Sequence, residues 1–255
     1  MQLVAIAALA DNYIWLQTDA KGRAVVVDPG DAAPVIAACA RGIVPLAIVI
    51  THHHADHLAG VAAIRAHYPS IRVYGPEHPQ IAADVIVHDG DVIQVGDSAL
   101  TVIAVPGHTN SHLAYYAAPH LFCGDTLFSL GCGRLFEGNS NTLLTSLQRL
   151  SRLPGSTLVC CGHEYSQANA HFAIHVDRNN PALLQRCEQI QALRQDGKAS
   201  LPVRLDMELA TNPFLRCHTP AIQTSVMRQF GQIDASERAI FRSLRRWKDQ
   251  FRSEI

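Results

Sequence analysis

Short apolar runs and amphipathic helical patterns alternate along the first half of this 255-residue chain. Residues 46–50 form an unbroken apolar run that predicts a buried strand, and residues 25–27 predict another. Between them, Asp31 is placed to cap a helix that ends near residue 42. A second helix is expected over about residues 58–67, because a proline follows closely. Strands that alternate with helices in this way predict the α/β class.

Further along the chain, strand-like runs follow one another without intervening helices. Several of the connections are too short for the helical crossover that parallel neighbours need, so we expect mixed rather than wholly parallel sheets. Helices and strands in the first half, followed by runs of strands, predict a four-layer αββα sandwich with the helices outside and the sheets within.

The pattern changes after Tyr165. Strand-like runs become rare, and apolar residues recur at the spacing of buried helix faces. The two clearest stripes are Leu183, Leu184, Cys187 and Ile190, and then Ile240, Leu244, Trp247 and Phe251. We therefore expect two domains: residues 1–165, which form the sandwich, and residues 166–255, which form a C-terminal α-helical domain.

Potential metal ligands crowd the segment that follows the first long apolar run. Residues 51–57 read THHHADH and offer His52, His54, Asp56 and His57. In an extended segment, residues two apart point the same way, so His52 and His54 are placed to bind one ion together. The other two ligands come a turn later, too close along the chain to share that ion. The segment therefore predicts a second metal ion.

Three more apolar runs end in a glycine followed by a ligand-type residue. These pairs are Gly107-His108, Gly124-Asp125 and Gly162-His163. Glycine permits a tight exit from a strand, so that the next side chain turns into a shared pocket. Five His and two Asp exceed what one zinc ion needs, which indicates two ions. A purely structural zinc site is disfavoured, because such sites are usually closed and rich in cysteine.

In this order, the motifs THHHADH, PGHT, GDT and GHEY resemble those of the metallo-β-lactamase superfamily. Within it, the chain is most similar to the glyoxalase II, or hydroxyacylglutathione hydrolase, family. The shared segments spread from residue 11 to residue 249 and cover nearly the whole chain. They are Asp11-Asn12-Tyr13, Val27-Asp28-Pro29-Gly30, residues 131–138, residues 211–216 (TNPFLR) and residues 245–249 (RRWKD).

This resemblance implies a metallo-β-lactamase-like sandwich and assigns the metal ligands. It divides the seven side chains into His52, His54 and His108 for one ion, Asp56, His57 and His163 for the other, and Asp125 as the bridge. Asp56 and Asp125 would also hold and orient a bridging hydroxide. Two Zn²⁺ ions are expected, with iron or manganese as alternatives, because His and Asp side chains accept all three metals.

A chemical activity follows from such a site. Two ions roughly 3.5–4 Å apart that share a carboxylate and a water lower the pKa of that water toward neutrality. The resulting hydroxide attacks carbonyl groups, and zinc binds a departing thiolate well. We therefore expect attack of the bridging hydroxide on a thioester. The resemblance implies S-(2-hydroxyacyl)glutathione, typically S-lactoylglutathione, as the substrate, with glutathione and lactate as products in methylglyoxal detoxification.

Glutathione carries carboxylates at both ends, so its pocket needs local cations. On a helical wheel, Arg245 and Lys248 lie together on one flank of the last apolar stripe, whereas Arg246 points away. The family uses an Arg and a Lys three apart near its C-terminus for the glycine carboxylate, and this pair matches. Some family members have tyrosine at Phe136, so one hydroxyl contact is not expected here. The substrate residues implied besides the pair are Arg134, Phe136 and Tyr165.

Other polar residues near the motifs favour structural roles. We expect Asp28 to form structural hydrogen bonds near the site, and His112 to pack against or orient a ligand. Cys132 has no adjacent base, so a structural role is favoured over a nucleophilic one.

Composition argues against several other classes of partner. The formal net charge of −1 favours neither nucleic acid nor an anionic membrane surface, and no apolar run approaches the length of a membrane span. The apolar N-terminal segment, residues 1–10, is expected to be a first strand rather than a signal peptide. Seven cysteines without regular spacing favour reduced thiols in the cytoplasm. We expect a cytoplasmic monomer that acts on a small molecule and binds neither nucleic acid nor a membrane.

Other functions remain open. A glutathione persulfide dioxygenase would use one iron, but it lacks the long helical extension expected here. Another dinuclear metallohydrolase, of the β-lactamase or phosphodiesterase type, shares the site geometry but has no use for the pair Arg245 and Lys248. A non-enzymatic metal-dependent binding module is disfavoured, because open ligand loops imply exchangeable solvent.

Overall fold

The computed structural model describes residues 2–231 and 234–252, and they fall into two compact units. The first unit comprises Met1–Ala104, Ser111–Gly124 and Cys160–His163, and the second comprises Val105–Asn110, Asp125–Val159 and Glu164–Ile255. The second unit thus includes segments that precede residue 165. The expected division into domains at residues 1–165 and 166–255 stays a prediction.

The first unit contains ten strands and three helices within the described residues. The strands are β1 (Gln2–Ala8), β2 (Asn12–Thr18), β3 (Arg23–Val27), β4 (Val44–Val49), β5 (Arg72–Gly75), β6 (Val85–Ile86), β7 (Val92–Val95), β8 (Ser98–Ala104), β9 (Leu113–Ala117) and β10 (His120–Gly124). The helices are α1 (Ala32–Ala40), α2 (Ala55–Leu58) and α3 (Val61–His67).

Strand pairing in this unit is mixed, as predicted. β1 to β6 form one sheet in chain order, with β1–β2 and β2–β3 antiparallel and the pairs β3–β4, β4–β5 and β5–β6 parallel. β7 to β10 are joined by antiparallel pairs between neighbours in the chain. The parallel pairs require crossovers, and α1 and α3 supply the helices of two of them.

Apolar runs and local capping explain the core of the first unit. Val26 and Ile48, on neighbouring parallel strands, are fully buried, in a cluster that includes Val35 from α1 and Ile64 from α3. Consecutive residues of β3 and β4 are buried on both faces of the sheet, so these strand sequences form continuous apolar runs. Asp31 caps α1 by accepting a hydrogen bond from the backbone N–H of Ala33 at 3.0 Å. The predicted cap is therefore confirmed.

The helix expected over residues 58–67 is two helices, α2 and α3. They are separated at Gly60, whose N–H donates to the carbonyl of Pro29 at 2.9 Å. A Cβ on Gly60 would lie 2.6 Å from that carbonyl oxygen, so only glycine permits this close approach. The prediction missed the break because the approaching segment lies some thirty positions earlier in the chain. As a consequence, Asp56 and His57 lie on a helical turn of their own, α2.

The second unit is mainly helical. Its elements are β11 (Leu127–Phe128), β12 (Gly131–Cys132), α4 (Ser140–Leu150), β13 (Leu158–Cys161), α5 (Ser166–Asp177), α6 (Pro181–Gln195), β14 (Val203–Arg204), α7 (Leu205–Thr211), a 3-10 helix (Pro213–Leu215), α8 (Pro220–Phe230) and α9 (Glu237–Gln250). The last two residues of β13 belong to the first unit. β13 pairs antiparallel with β14. The helical character predicted after Tyr165 is confirmed.

The predicted helical stripes are correct with two exceptions, Leu184 and Phe251, the second of which is half-buried and follows α9 as its C-cap residue. Ile240, Leu244 and Trp247 are buried along α9. On α6, Leu183 is fully buried, but Leu184 is 40% exposed, so its assignment to the buried face was wrong. Adjacent helical residues point about 100° apart, and only one of the two leucines shares a face with the other apolar residues. Among the described residues, no helix combines the length and the apolar character needed to cross a membrane.

Candidate active site

Three of the expected ligands converge in the first unit. Asp56 and His57 lie on α2, and His163 follows β13. The Nε2 atoms of His57 and His163 are 3.3 Å apart, and Asp56 Oδ2 lies 3.4 Å from the first and 3.3 Å from the second. Ligand atoms about 2.0–2.1 Å from a tetrahedral zinc ion are about 3.3 Å from one another. The three atoms therefore fit a single divalent ion.

The carboxyl group of Asp56 is held in its ionised form. Its contact with the His163 side chain keeps its pKa well below the usual range, and the nearby His57 and the hydrogen bond from Asn12 act in the same direction. Burial opposes them by disfavouring the charged form, but its effect is smaller than theirs combined. A carboxylate that remains charged at neutral pH is ready to bind a cation.

Two carboxylates contact the far sides of these histidine rings. Asp28 Oδ2 lies 3.1 Å from Nδ1 of His57, and Asp11 Oδ1 lies 2.8 Å from Nδ1 of His163. A neutral histidine that donates through Nδ1 keeps the lone pair of Nε2 for a metal. Asp28 also accepts hydrogen bonds from the N–H and the hydroxyl of Thr51, both at 2.7 Å. The structural role predicted for Asp28 is confirmed.

A second pair of expected ligands meets nearby in the chain. Nε2 of His52 lies 3.0 Å from Nδ1 of His54, as their spacing in an extended segment predicts. Nδ1 of His52 lies 3.0 Å from the hydroxyl oxygen of Thr51, which orients the ring. His112 stacks on His52 with 4.6 Å between ring centroids and 16° between planes. His112 therefore packs against an expected ligand, as predicted.

The remaining two expected ligands lie together in the second unit. Nε2 of His108 is 3.6 Å from Oδ2 of Asp125. Nδ1 of His108 donates to the carbonyl of Arg134 at 2.8 Å, which again leaves Nε2 for a metal. Gly133 makes room for this arrangement, since a Cβ there would lie 2.0 Å from the backbone oxygen of Asp125.

A cavity of about 390 Å³ opens in the second unit beside this pair. Its volume is in the range of small-molecule binding sites. All five predicted substrate residues line it, together with the two expected ligands of this unit. The lining residues are His108, Asp125, Phe128, Cys132, Arg134, Phe136, Tyr165, Ala168, Asn169, Arg245 and Lys248.

Lys248 supplies a half-buried cation to the cavity wall. Its ammonium group donates to the carbonyl of Ala168 at 3.2 Å and lies 5.2 Å from the ring centroid of Phe172. Burial lowers the pKa of Lys248 to about 8, and the neighbouring charge of Arg245 adds to this effect. An anion beside this ammonium would offset the cost of burying its charge, so the position favours an anionic group.

Arg245 lies beside Lys248 on α9, but its guanidinium is already engaged. It donates to the carbonyl of Cys132 at 2.9 Å and to Asp249 Oδ1 at 2.9 Å, and it lies 5.1 Å from the ring centroid of Phe214. Only 3% of the residue is exposed. Its contact with a substrate carboxylate stays a prediction, whereas its contact with the cavity wall is observed. Arg246 is exposed, as the helical wheel predicts.

The other three predicted substrate residues differ in exposure. Arg134 is exposed, and its Nε lies 4.0 Å from Asp249 Oδ1. Phe136 is 64% exposed and meets the ring of His108 edge-on at 5.2 Å. Tyr165 is half-buried and packs edge-on against Phe128 at 5.1 Å. The cavity therefore has an exposed cationic wall, an exposed apolar wall and a packed aromatic wall.

Comparison with known proteins decides the family. The family profile described as "Hydroxyacylglutathione hydrolase C-terminus" matches residues 164–251, and the profile described as "Metallo-beta-lactamase superfamily" matches residues 9–163. A hydroxyacylglutathione hydrolase of Xanthomonas axonopodis pv. citri (strain 306) is 51% identical over 255 residues, which cover 99% of this chain and 100% of the relative. The chain belongs to the hydroxyacylglutathione hydrolase family.

Solved structures agree with this membership at the level of the fold. The BLEG-1 B3 metallo-beta-lactamase aligns with a TM-score of 0.65 and 24% identity, covering 84% of this chain and 99% of that one. TTHA1623 in a di-iron-bound form aligns with a TM-score of 0.53 and 29% identity, covering 64% of this chain and 92% of that one. The metallo-β-lactamase fold expected for a hydroxyacylglutathione hydrolase is therefore confirmed.

Cys132 lies in the cavity of this hydroxyacylglutathione hydrolase family member without the properties of a nucleophile. Burial raises the pKa of its thiol to about 11, although Arg245 acts in the opposite direction. A thiol with that pKa is protonated at neutral pH and does not attack carbonyl groups. This protonated thiol supports the structural role predicted for Cys132, which stays a prediction.

A buried carboxylate that the sequence did not single out supports the loop of this cavity. Glu208, on α7, is fully buried and accepts hydrogen bonds from Leu130 N–H at 2.8 Å, Ser129 Oγ at 2.9 Å and Asn212 Nδ2 at 3.0 Å. Leu130 has a φ of 58°, a conformation that non-glycine residues adopt only when their surroundings enforce it. Burial raises the pKa of Glu208, and the three donors oppose this. The only available signal was the shared family segment TNPFLR, which contains Asn212.

Proposed function

We propose that this chain hydrolyses the thioester bond of S-(2-hydroxyacyl)glutathione and releases glutathione and a 2-hydroxy acid. S-lactoylglutathione, the thioester formed in methylglyoxal detoxification, is the proposed substrate. Relatives named hydroxyacylglutathione hydrolase that are 51% identical over the full length support this proposal. The observation that carries it is the cavity of the second unit, in which His108 and Asp125 lie in one lining with Lys248. A glutathione thioester needs both a hydrolytic centre and a cation for its carboxylate.

The proposed centre holds two divalent metal ions, most suitably Zn²⁺. The donor set supports divalent metal binding, because every expected ligand nitrogen or oxygen described above lies within about 4 Å of another one. Iron and manganese fit the same donors, and the di-iron-bound form of TTHA1623 is an example within the fold. The proposed ligands are His52, His54, Asp56, His57, His108, Asp125 and His163.

When bound, such ions lower the pKa of a water toward neutrality and polarise a carbonyl group. The chain itself orients the reacting atoms. Asp56 and Asp125 would hold and orient the attacking water toward the thioester carbon. The water oxygen bonds to that carbon, the carbon–sulfur bond breaks, and the sulfur leaves with the electron pair as the glutathione thiolate. The water proton is released to solvent or to the product.

The cavity of the second unit would orient the glutathione portion of the substrate. Lys248 would pair with the glycine carboxylate, because its ammonium is half-buried and lacks a carboxylate partner within the contacts that the structure describes. Arg245 would support this pairing by holding the wall at Cys132. Arg134 offers a second, exposed cation, while Phe136 and Tyr165 offer apolar and aromatic contacts.

A kinetic comparison tests this proposal. Loss of the thioester absorbance of S-lactoylglutathione would be followed for the wild type, Lys248→Ala and Arg246→Ala. The control residue is two positions away on the same helix, carries the same charge and is exposed. We expect KM to rise at least tenfold in Lys248→Ala with little change in kcat, and no change in Arg246→Ala. Unchanged kinetics of Lys248→Ala would refute the carboxylate pairing, and no turnover by the metal-loaded wild type would refute the activity.

Two other activities are distinguished by their substrates. A persulfide dioxygenase would consume oxygen with glutathione persulfide, and a β-lactamase or phosphodiesterase would turn over a β-lactam or a phosphodiester. We expect none of these reactions at a rate that approaches thioester hydrolysis, because residues 164–251 match the C-terminal profile of hydroxyacylglutathione hydrolases. The fold similarity to a B3 metallo-beta-lactamase is no evidence that this chain hydrolyses β-lactams, because the two share only 24% identity.

We also propose that the protein is a cytoplasmic monomer that works on small molecules alone. All seven cysteines are free thiols, which supports a reducing compartment. Multi-angle light scattering of the metal-loaded protein tests the monomer, for which a mass near 27.8 kDa is expected. Cell fractionation tests the location.

A further inference from the structure

We infer that Asp11 and Asn12 are positioning residues for one metal ion, the ion proposed to bind Asp56, His57 and His163. Neither residue is an expected ligand. Each contacts a different ligand of the same cluster, however, and does so through the side chain. The inference rests on the proposed metal centre, and it is independent of the proposed substrate.

The contacts of Asp11 orient His163. Asp11 Oδ1 lies 2.8 Å from Nδ1 of His163, on the opposite side of the ring from Nε2. Nε2 is the atom that lies 3.3 Å from both His57 Nε2 and Asp56 Oδ2. A carboxylate that accepts the Nδ1 proton sets the tautomer and the ring orientation of a ligand histidine and increases the basicity of Nε2.

The contacts of Asn12 orient Asp56. Its side-chain amide donates to Asp56 Oδ2 at 2.9 Å and approaches the backbone oxygen of the same residue at 3.3 Å. Asn12 is only 6% exposed, so this amide is held in one place by its surroundings. The donated hydrogen bond restrains the carboxylate oxygen that belongs to the ligand triangle.

Backbone contacts hold both side chains against the cluster. Asn12 forms an antiparallel bridge with His163, and the N–H of Tyr13 donates to the carbonyl of Gly162 at 2.8 Å. The turn that precedes them places Leu9 at a φ of 51°, a conformation that a branched residue adopts only when its surroundings enforce it. Asp11, at the end of the turn between β1 and β2, and Asn12, at the start of β2, are thus attached to the segment that carries His163, and their side chains contact two different ligands.

Zinc competition with a chromophoric chelator tests the inference without any substrate. The purified full-length protein is loaded with zinc, and the affinity of each bound equivalent is measured for the wild type, Asp11→Ala, Asp11→Asn and Asp97→Ala. Asp97 is an exposed aspartate of the same unit that pairs with Arg23, so its removal controls for the loss of one negative charge. Thermal unfolding of the metal-free proteins verifies that each variant folds.

In Asp11→Ala, we expect one zinc equivalent to weaken about 10- to 100-fold while the other is unchanged. Asp11→Asn keeps an oxygen acceptor and should lose less zinc affinity. The zinc affinities of Asp97→Ala should match those of the wild type. If Asp11→Ala does not fold, Asp11→Asn compared with Asp97→Asn decides in the same way. Equal zinc affinities in the Asp11 and Asp97 variants, or equal weakening of both equivalents, would overturn the inference. A wild type that binds no zinc would instead refute the metal centre itself.

Discussion

Nε2 of His57 lies 3.3 Å from Nε2 of His163, although the two residues are 106 positions apart in the chain. Two imidazole nitrogens approach so closely when a proton or a metal cation lies between them. The outer nitrogens of both rings contact carboxylates, so both rings direct an unprotonated nitrogen toward the same point. We therefore expect His163→Ala to lose one of two zinc equivalents and at least about 100-fold in hydrolysis rate.

Elemental analysis after dialysis checks this prediction, with His88→Ala as the control. His88 is an exposed histidine of the first unit whose nearest acidic partner is Asp91. Full retention of two zinc equivalents by His163→Ala would contradict the assignment of this ligand.

Gly133→Ala should impair the enzyme without removing any functional group. The new Cβ would lie 2.0 Å from the backbone oxygen of Asp125 and 3.2 Å from the Cβ of His108, so both expected ligands must shift. We expect a loss of at least tenfold in kcat, because misplaced ligands cannot orient the attacking water. Gly155→Ala is the control, since its nearest new contact is the side chain of Asp206 at 3.2 Å. Similar kcat values for the two variants would show that the loop of Gly133 adapts freely.

The kinetic parameters should report the ionisation of Lys248. Its pKa of about 8 lies below the usual value of about 10.4, so the ammonium loses its proton within the accessible pH range. Below pH 8 the side chain is charged and attracts a carboxylate, and above pH 8 that attraction is lost. A carboxylate bound beside Lys248 raises the pKa of its ammonium again. The value of kcat should therefore change less with pH than kcat/KM does.

Measurements of kcat/KM from pH 6.5 to 9.5 check this prediction. We expect a decline with a midpoint near pH 8 in the wild type and none from this source in Lys248→Arg, because guanidinium stays charged throughout. The same decline in both proteins would assign the titration to another group.

Removing the carboxylate of Glu208 should destabilise the second unit. Glu208→Ala leaves two buried donors, from Ser129 and Leu130, without this acceptor, whereas the amide of Asn212 keeps the carbonyls of Phe128 and Gly131. Each unsatisfied buried donor costs roughly 1–3 kcal/mol, so we expect the free energy of unfolding to fall by about 2 kcal/mol or more. Glu208→Gln keeps the shape of the side chain and one acceptor oxygen, so its free energy of unfolding should fall less. Urea denaturation measures both values, and equal stability of wild type and Glu208→Ala would contradict the role of this network.

Local sequence signals predicted much of the fold. The cap of α1 by Asp31 was predictable because a side chain that accepts from a backbone N–H two residues later is a local interaction. The strand at residues 46–50 and the stripe of α9 were predictable because burial leaves a periodic pattern. The break between α2 and α3 was not, because it depends on the approach of Pro29 to Gly60.

In the candidate site, too, local patterns predicted some features, and contacts between distant residues were not predictable. Its expected ligands follow strand ends in recognisable motifs, and the structure places them in three close groups. The contact of Asp11 with His163 joins residues 152 positions apart, which no local pattern reports. The helical wheel placed Arg245 beside Lys248, but it could not show that the carbonyl of Cys132 engages the guanidinium. Contacts between distant segments therefore distinguish a cation that is available to a ligand from one that supports the wall.

The most direct test of the account is zinc-dependent hydrolysis of S-lactoylglutathione by the wild type. The protein is stripped with a chelator, and activity is then measured as zinc is added back in fractions of an equivalent. We predict negligible thioester hydrolysis by the stripped protein and full recovery at two zinc ions per chain. Full activity of the metal-free protein, or no thioester hydrolysis at any zinc content, would contradict the account.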